Sequence, residues 1–133
     1  MLVRNTAFIS LIYTHDGDPI AYAHSYSRGV PDSTGWMKAF VYTTASSISA
    51  SNVTWQKSTN GGESYADAAT TGHYGVTYSS SAYKSGSSTI YQADTVLTIT
   101  NLEDADYGLY RIKATGTDGT VYSQWSFDFS NPS

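Results

Sequence analysis

Cysteine is missing altogether from this chain of 133 residues. No disulfide can staple the fold, so it has to be held by apolar burial alone, and a chain of this length can bury one core. Charge is sparse as well. Only 14% of residues are Asp, Glu, Lys or Arg, the formal net charge is -4, and the seven Lys and Arg are scattered. A nucleic-acid partner would call for a clustered basic face, which excludes that class. Long hydrophobic runs are also lacking, so no stretch reads as a membrane span. The opening Met1-Leu2-Val3-Arg4-Asn5-Thr6 carries one basic residue, and the apolar residues after it are broken by Ser10, Tyr13 and the run His15-Asp16-Gly17-Asp18. That pattern does not read as a signal peptide. With Met1 as the native start, the expectation is synthesis and folding in a reducing cytosol.

Catalytic chemistry has little to build on. His15, His24 and His73 are the imidazoles of the chain, and none stands beside Ser, Cys or Glu in a nucleophile or metal motif. Asp16-Gly17-Asp18 lacks the further acidic ligands that a calcium loop supplies at fixed offsets, and reads as a solvated turn. Ser85-Gly86-Ser87-Ser88 lacks both the Lys and the following helix of a phosphate loop. The expectation is a protein that is not an enzyme, with no metal and no cofactor.

What the chain has in quantity is Ser, Thr, Gly and aromatic residues, with 12 Tyr and 3 Trp. This composition suits β-structure and a surface that meets protein or sugar. Met37, Ala39 and Val41 alternate against Lys38, Phe40 and Tyr42, which predicts a strand over Trp36 to Thr44 with the first set inward. Val53-Thr54-Trp55-Gln56-Lys57 reads as another strand, closed by Asn60-Gly61-Gly62; the glycosylation-like Asn52-Val53-Thr54 belongs to that strand sequence. Further strands are expected over Thr95 to Thr100, Leu109 to Thr115 and Val121 to Phe129. Thr117-Asp118-Gly119-Thr120 supplies the hairpin turn between the last two. Near the N-terminus, Phe8-Ile9-Ser10-Leu11-Ile12-Tyr13 and Ile20-Ala21-Tyr22-Ala23-His24-Ser25-Tyr26 read as two strands around the turn Asp16-Gly17-Asp18-Pro19.

One stretch is more specific. Leu97-Thr98-Ile99, Asn101-Leu102, Glu103, Asp104 and Asp106-Tyr107-Gly108-Leu109-Tyr110 follow at the spacing of a particular sandwich corner. A strand ends, a turn carries Asn-Leu and acidic residues, Gly108 lets the backbone swing into the next strand, and a Tyr hydroxyl bonds back across the bend. With Trp55, this resembles the immunoglobulin fold over about three quarters of the chain. The resemblance implies an all-β, immunoglobulin-like β-sandwich with Greek-key topology and an N-terminal strand or arm. Residues 1–33 then form the arm and A-type strands, and residues 34–133 the sandwich. Structural roles fall on Trp55, Asp106, Gly108, Tyr110 and Ile112. Asp106 is expected to accept hydrogen bonds or pair with a base, and Arg4, Arg28 and Lys84 stand as equal candidates. Antibody-type domains carry a Cys at the position of Ile112, with its partner near Ala39 or Val41, and secreted animal receptors usually keep that bridge.

A Cys-free domain of this composition without a secretion signal resembles the immunoglobulin-like domains of tailed-bacteriophage particles. That resemblance implies a capsid or tail decoration protein, present in many copies on the virion after assembly in the bacterial cytoplasm. Its partners would be the major capsid or tail protein, with weak contacts to host-surface carbohydrate and neither nucleic acid nor membrane insertion. The alternative is a bacterial surface adhesin or carbohydrate-binding module. Two segments exceed the needs of the sandwich. Phe8, Ile9, Leu11, Ile12 and Tyr13 are either part of an A strand or a docking arm that pairs with a neighbouring subunit. Residues 61–92 are expected to hold strands C′ and D with long loops, whose Tyr65, Tyr74, Tyr78 and Tyr83 form a candidate binding face. Trp36, Tyr42, Trp125 and Phe127 are candidate docking aromatics if they face outward, and core residues otherwise.

Overall fold

Uninterrupted alternation of apolar and polar residues favours an extended chain with one face buried, and this sequence holds several such runs. A computed structural model of the chain describes residues 20–43, 52–85, 88–115, 120–123 and 126–133. These residues form β1 (Ile20–Ser27), β2 (Gly35–Thr43), β3 (Val53–Ser58), β4 (Ala66–Asp67), β5 (Tyr74–Ser85), β6 (Ser88–Ile99), β7 (Gly108–Thr115), β8 (Thr120–Tyr122) and β9 (Phe127–Phe129). A 3-10 turn, Asp104–Asp106, precedes β7. One antiparallel sheet runs in the order β1-β2-β6-β5, and the other in the order β4-β3-β7-β8 with β9 also on β7. The fold is an all-β sandwich.

The core lies between the sheets. Met37, Ala39 and Val41 of β2 are fully buried, and the register sets them opposite Leu97, Thr95 and Ala93 of β6. From the other sheet come Trp55 of β3, Tyr110, Ile112 and Ala114 of β7, and Phe127 and Phe129 of β9. Trp55 faces Ile112 directly across the β3–β7 ladder. Each fully buried Leu, Ile or Met contributes roughly 1.5–3 kcal/mol by leaving water, so this layer supplies what a missing disulfide cannot. One polar link crosses the core. The Trp55 indole Nε1 donates to Thr95 Oγ1 at 3.0 Å, and that hydroxyl donates to the Thr77 carbonyl at 3.0 Å.

Several expectations need correction. Residues 61–92 hold the two strands expected there, β4 and β5, but with less loop: β5 and β6 form a hairpin of twelve paired positions, in register from Tyr74↔Ile99 to Ser85↔Ser88. Tyr, Thr and Ser fit a pleated half-buried surface as well as they fit a loop, so their abundance did not mark irregular chain. The strand expected to start at Thr95 therefore begins at Ser88. The strand expected from Val121 to Phe129 is split into β8 and β9. Ser123 supplies the reason, since its Oγ accepts the Ile112 N–H at 3.1 Å while its own N–H donates to the Ile112 carbonyl at 2.9 Å. A side chain stands in for a ladder acceptor, and the strand breaks there. Tyr42, expected outward, is only 7% exposed; it shares an outer row with Phe40, whose ring meets it edge-on at 6.3 Å.

The second N-terminal run is an integral strand, since β1 pairs with β2 from Ile20↔Tyr42 to Ser27↔Trp36 with an irregularity between Ala23 and Ser25. Phe8, Ile9, Leu11, Ile12 and Tyr13 lie outside the described residues, as do Trp125 and the turn residues Thr117, Asp118 and Gly119. The ladder flanking that turn pairs Thr115 with Thr120. Phe127 is buried against Trp55, with ring centroids 5.7 Å apart, and serves the core.

Candidate functional site

Three polar constellations stand out, beginning at the corner before β7. Asn101 takes a positive φ of 49°, which its short polar side chain tolerates, and Leu102 then drops fully into the core. The Asp106 carboxylate accepts the Glu103 N–H at 2.9 Å, closing the 3-10 turn, and the Tyr110 hydroxyl donates to the Asp106 carbonyl at 2.6 Å. Two residues of the β5 entry complete the cluster: His73 Nε2 donates to Asp106 Oδ2 at 2.9 Å, and the Tyr74 hydroxyl donates to Oδ1. The base beside Asp106 is thus His73. Arg28, one of the expected partners, donates to Ser130 Oγ at 2.8 Å instead.

The electrostatics follow from these contacts. Burial alone would raise the Asp106 carboxyl, but hydrogen bonds from Tyr74, Glu103 and His73 outweigh it and hold the group below the usual carboxylate value. Burial and the bond to Asp106 push the Tyr74 phenol up to about 12. Burial, foremost, pushes Tyr110 up as well. Lys57, whose ammonium donates to the Ala105 carbonyl and lies 5.6 Å from the Tyr110 ring centroid, is lowered by burial against the pull of Asp106. The Asp106 carboxylate and the hydroxyls of Tyr74 and Tyr110 are engaged within the corner, so the cluster reads as structural.

The second constellation is the β5 edge. Tyr74, Tyr78 and Tyr83 lie along this strand, while Tyr65 sits by the other sheet, so the four expected binding tyrosines are not gathered on one face. Tyr74 is engaged at the corner, and Tyr78 packs on the core, where burial raises its phenol. Tyr83 stands opposite Ile90. What β5 does offer is its outer edge. Among the described residues it is the end strand of its sheet, it holds register over twelve residues, and Tyr74 to Tyr83 contains neither charge nor proline. Val76 is 39% exposed.

The third lies on the outer face of the other sheet. Ser58 Oγ accepts the N–H groups of Asn60 and Gly62, and positive φ angles at Gly61 and Gly62 fold the chain back over β3. That fold brings Tyr65 onto β7. The Arg111 guanidinium lies 3.9 Å from the Tyr65 ring centroid and 3.8 Å from that of Tyr122. Arg111 Nε donates to Gln56 Oε1 at 2.9 Å, and Gln56 Nε2 donates to Asp67 Oδ1 at 3.2 Å. Tyr65 is held in turn by a 2.6 Å hydrogen bond between its hydroxyl and Ser126 Oγ. Of this group only Tyr65 was expected at a binding site. The sequence held no signal for Tyr122: a two-residue Asp118-Gly119 turn would set it opposite Thr115, whereas the ladder pairs Thr115 with Thr120 and so sets Tyr122 opposite Lys113 and diagonal to Arg111.

Among the described residues, no group of three or more His, Asp or Glu could hold a metal ion, and no helix is long and apolar enough to cross a membrane. No protein-family model matches the chain, and no curated protein matches it either.

Proposed function

We propose that this chain is a structural and binding module of a tailed-bacteriophage particle, an immunoglobulin-like decoration or accessory domain that docks by strand pairing and turns its remaining surface outward. The observation that carries this reading is the β5 edge. Soluble proteins usually blunt an edge strand with charge, proline, a bulge or brevity, because unpaired N–H and C=O groups recruit other strands. β5 is long, in register and uncharged from Tyr74 to Tyr83, which suits strand addition by a partner. The immunoglobulin-like assignment is supported by the Tyr110 bond across the corner, by buried Trp55, and by sheet orders that correspond to A-B-E-D and C′-C-F-G. A docked footprint of roughly 1,600 Å² in total is the usual size for a stable contact, and repetition on a symmetric shell strengthens a modest one.

The test uses particles grown from a genome lacking this gene, mixed with the purified protein and sedimented. Many copies of the wild-type protein should co-sediment. The double variant Thr77→Lys, Ser79→Lys places charge on exposed β5 positions, where stability should change by no more than about 0.5 kcal/mol, yet binding should fall to background. Absence of wild-type binding would sink the particle reading, and full binding by the variant would remove β5 from it.

The second reading, a bacterial adhesin or carbohydrate-binding module, is favoured by the aromatic-flanked Arg111 on the outer sheet face.

A further inference from the structure

We infer that the outer face of the β4-β3-β7-β8 sheet is a receptor for the carboxylate of an acidic sugar, with Arg111 as the recognising group. This inference deepens the binding-module reading and does not depend on docking to a particle.

Ordering a long arginine side chain on a surface costs rotamer freedom, and here that cost is met without an ion pair. The guanidinium carbon lies over two tyrosine rings, 3.9 Å from the Tyr65 centroid and 3.8 Å from that of Tyr122, and Nε is engaged by Gln56. The Nη fork, which forms the remaining edge of the group, meets no acceptor among the described residues. Among those residues the ion pair recorded is His73–Asp106 at the distant corner. The chain carries 11 acidic residues against seven Lys and Arg, so a fixed arginine without a carboxylate is not explained by a shortage of acids.

The orientation of the fork selects the ligand. An arginine locked between two rings accepts a partner only in its own plane, and the partner that matches two parallel N–H groups there is a carboxylate. Lys113 shares this outer face two residues along β7, so two cations stand there beside Asp67, whose carboxylate is engaged by Gln56. A nucleic acid would call for a longer basic track than two cations. Sugar is favoured over an acidic peptide by the surroundings of the fork. Tyr122 remains 44% exposed, leaving ring surface for the apolar face of a pyranose, and the Ser126 hydroxyl lies beside the clamp for sugar hydroxyls. The clamp is also preorganised through Tyr65–Ser126 and Gln56–Asp67, so little further ordering accompanies binding.

The test is a solution titration of the isolated protein with a short oligogalacturonate, followed by amide chemical shifts. Saturable shifts should centre on β7, β8 and Tyr65. The same oligomer with its carboxyls reduced to alcohols should bind about tenfold or more weakly, because the charge-assisted bidentate contact is gone. Arg111→Lys keeps the charge but not the fork, and should weaken the acidic oligomer by a similar factor of about ten. Tyr122→Ala, at an exposed position, serves as a second variant should Arg111→Lys perturb the fold, and it should weaken binding too. Equal affinity for the reduced oligomer, undiminished binding by both variants, an absence of saturable shifts, or tighter binding of a polyglutamate peptide would each overturn the proposal. Because no particle is present, failure here leaves the β5 docking reading intact, and failure of docking leaves this one intact.

Discussion

Asp106 concentrates three donors on one small carboxylate, and its ionised form is what they stabilise. A folded carboxyl held below its ordinary value contributes stability above that value, and the contribution is lost as pH falls through the folded pKa. Asp106→Asn should therefore lower unfolding stability at pH 7 by about 1–3 kcal/mol, since the amide cannot accept all three bonds. The acid limb of the stability profile below about pH 4 should flatten in the variant. Urea unfolding across a pH series reads both effects, and an unchanged acid limb would assign it to another group. The internal half of this corner was legible in the sequence, because the Tyr110-to-Asp106 bond spans four residues and local spacing encodes it. His73 and Tyr74 were not legible as partners. They reach Asp106 from more than 30 residues away through the register of β5, which the spacing of the corner motif does not contain.

At the scale of strands, β3 and β7 approach closely where β7 begins. Gly108 was expected to serve the backbone bend, yet it does not take a positive φ. A Cβ there would lie 2.7 Å from the Ser58 carbonyl oxygen, so the glycine answers to crowding between neighbouring strands. The obstacle is backbone and cannot rotate away. Gly108→Ala should thus destabilise by about 1–3 kcal/mol as an overpacking change, read by thermal unfolding, whereas a change within error would mean the two strands can part freely. Strands with strict alternation, β2 and β7 above all, were readable because burial of one face leaves a period of two. β5 and the β8–β9 break were not. In the first, hydroxyl residues satisfy strand and loop alike, and in the second, one serine hydroxyl replaces a backbone acceptor without altering the pattern around it.

For the molecule as a whole, the question is what holds the two sheets in one relative position. Apolar contact is permissive of sliding, but the Trp55–Thr95 hydrogen bond is not, because it joins β3 to β6 at a single pair of atoms. Thr95→Val removes the acceptor while nearly keeping the shape. It should leave the buried indole N–H unpaired, at a cost of about 1–3 kcal/mol, with loss of a distinct downfield indole proton signal. A neutral result in chemical denaturation would show that packing alone fixes the layers. Trp55 and Ile112 were legible as inward residues, but the threonine that receives the indole was not, since a Thr at an inward position reads as ordinary strand sequence.

That indole-to-hydroxyl link occupies the space between layers in a chain without sulfur bridges, and it carries a consequence for where the protein can work. Thiol reductants and oxidants have nothing to cut or to join here. The same link therefore does not depend on whether the surroundings are cytosolic, periplasmic or open to air, and moving between such compartments asks for no disulfide-forming step.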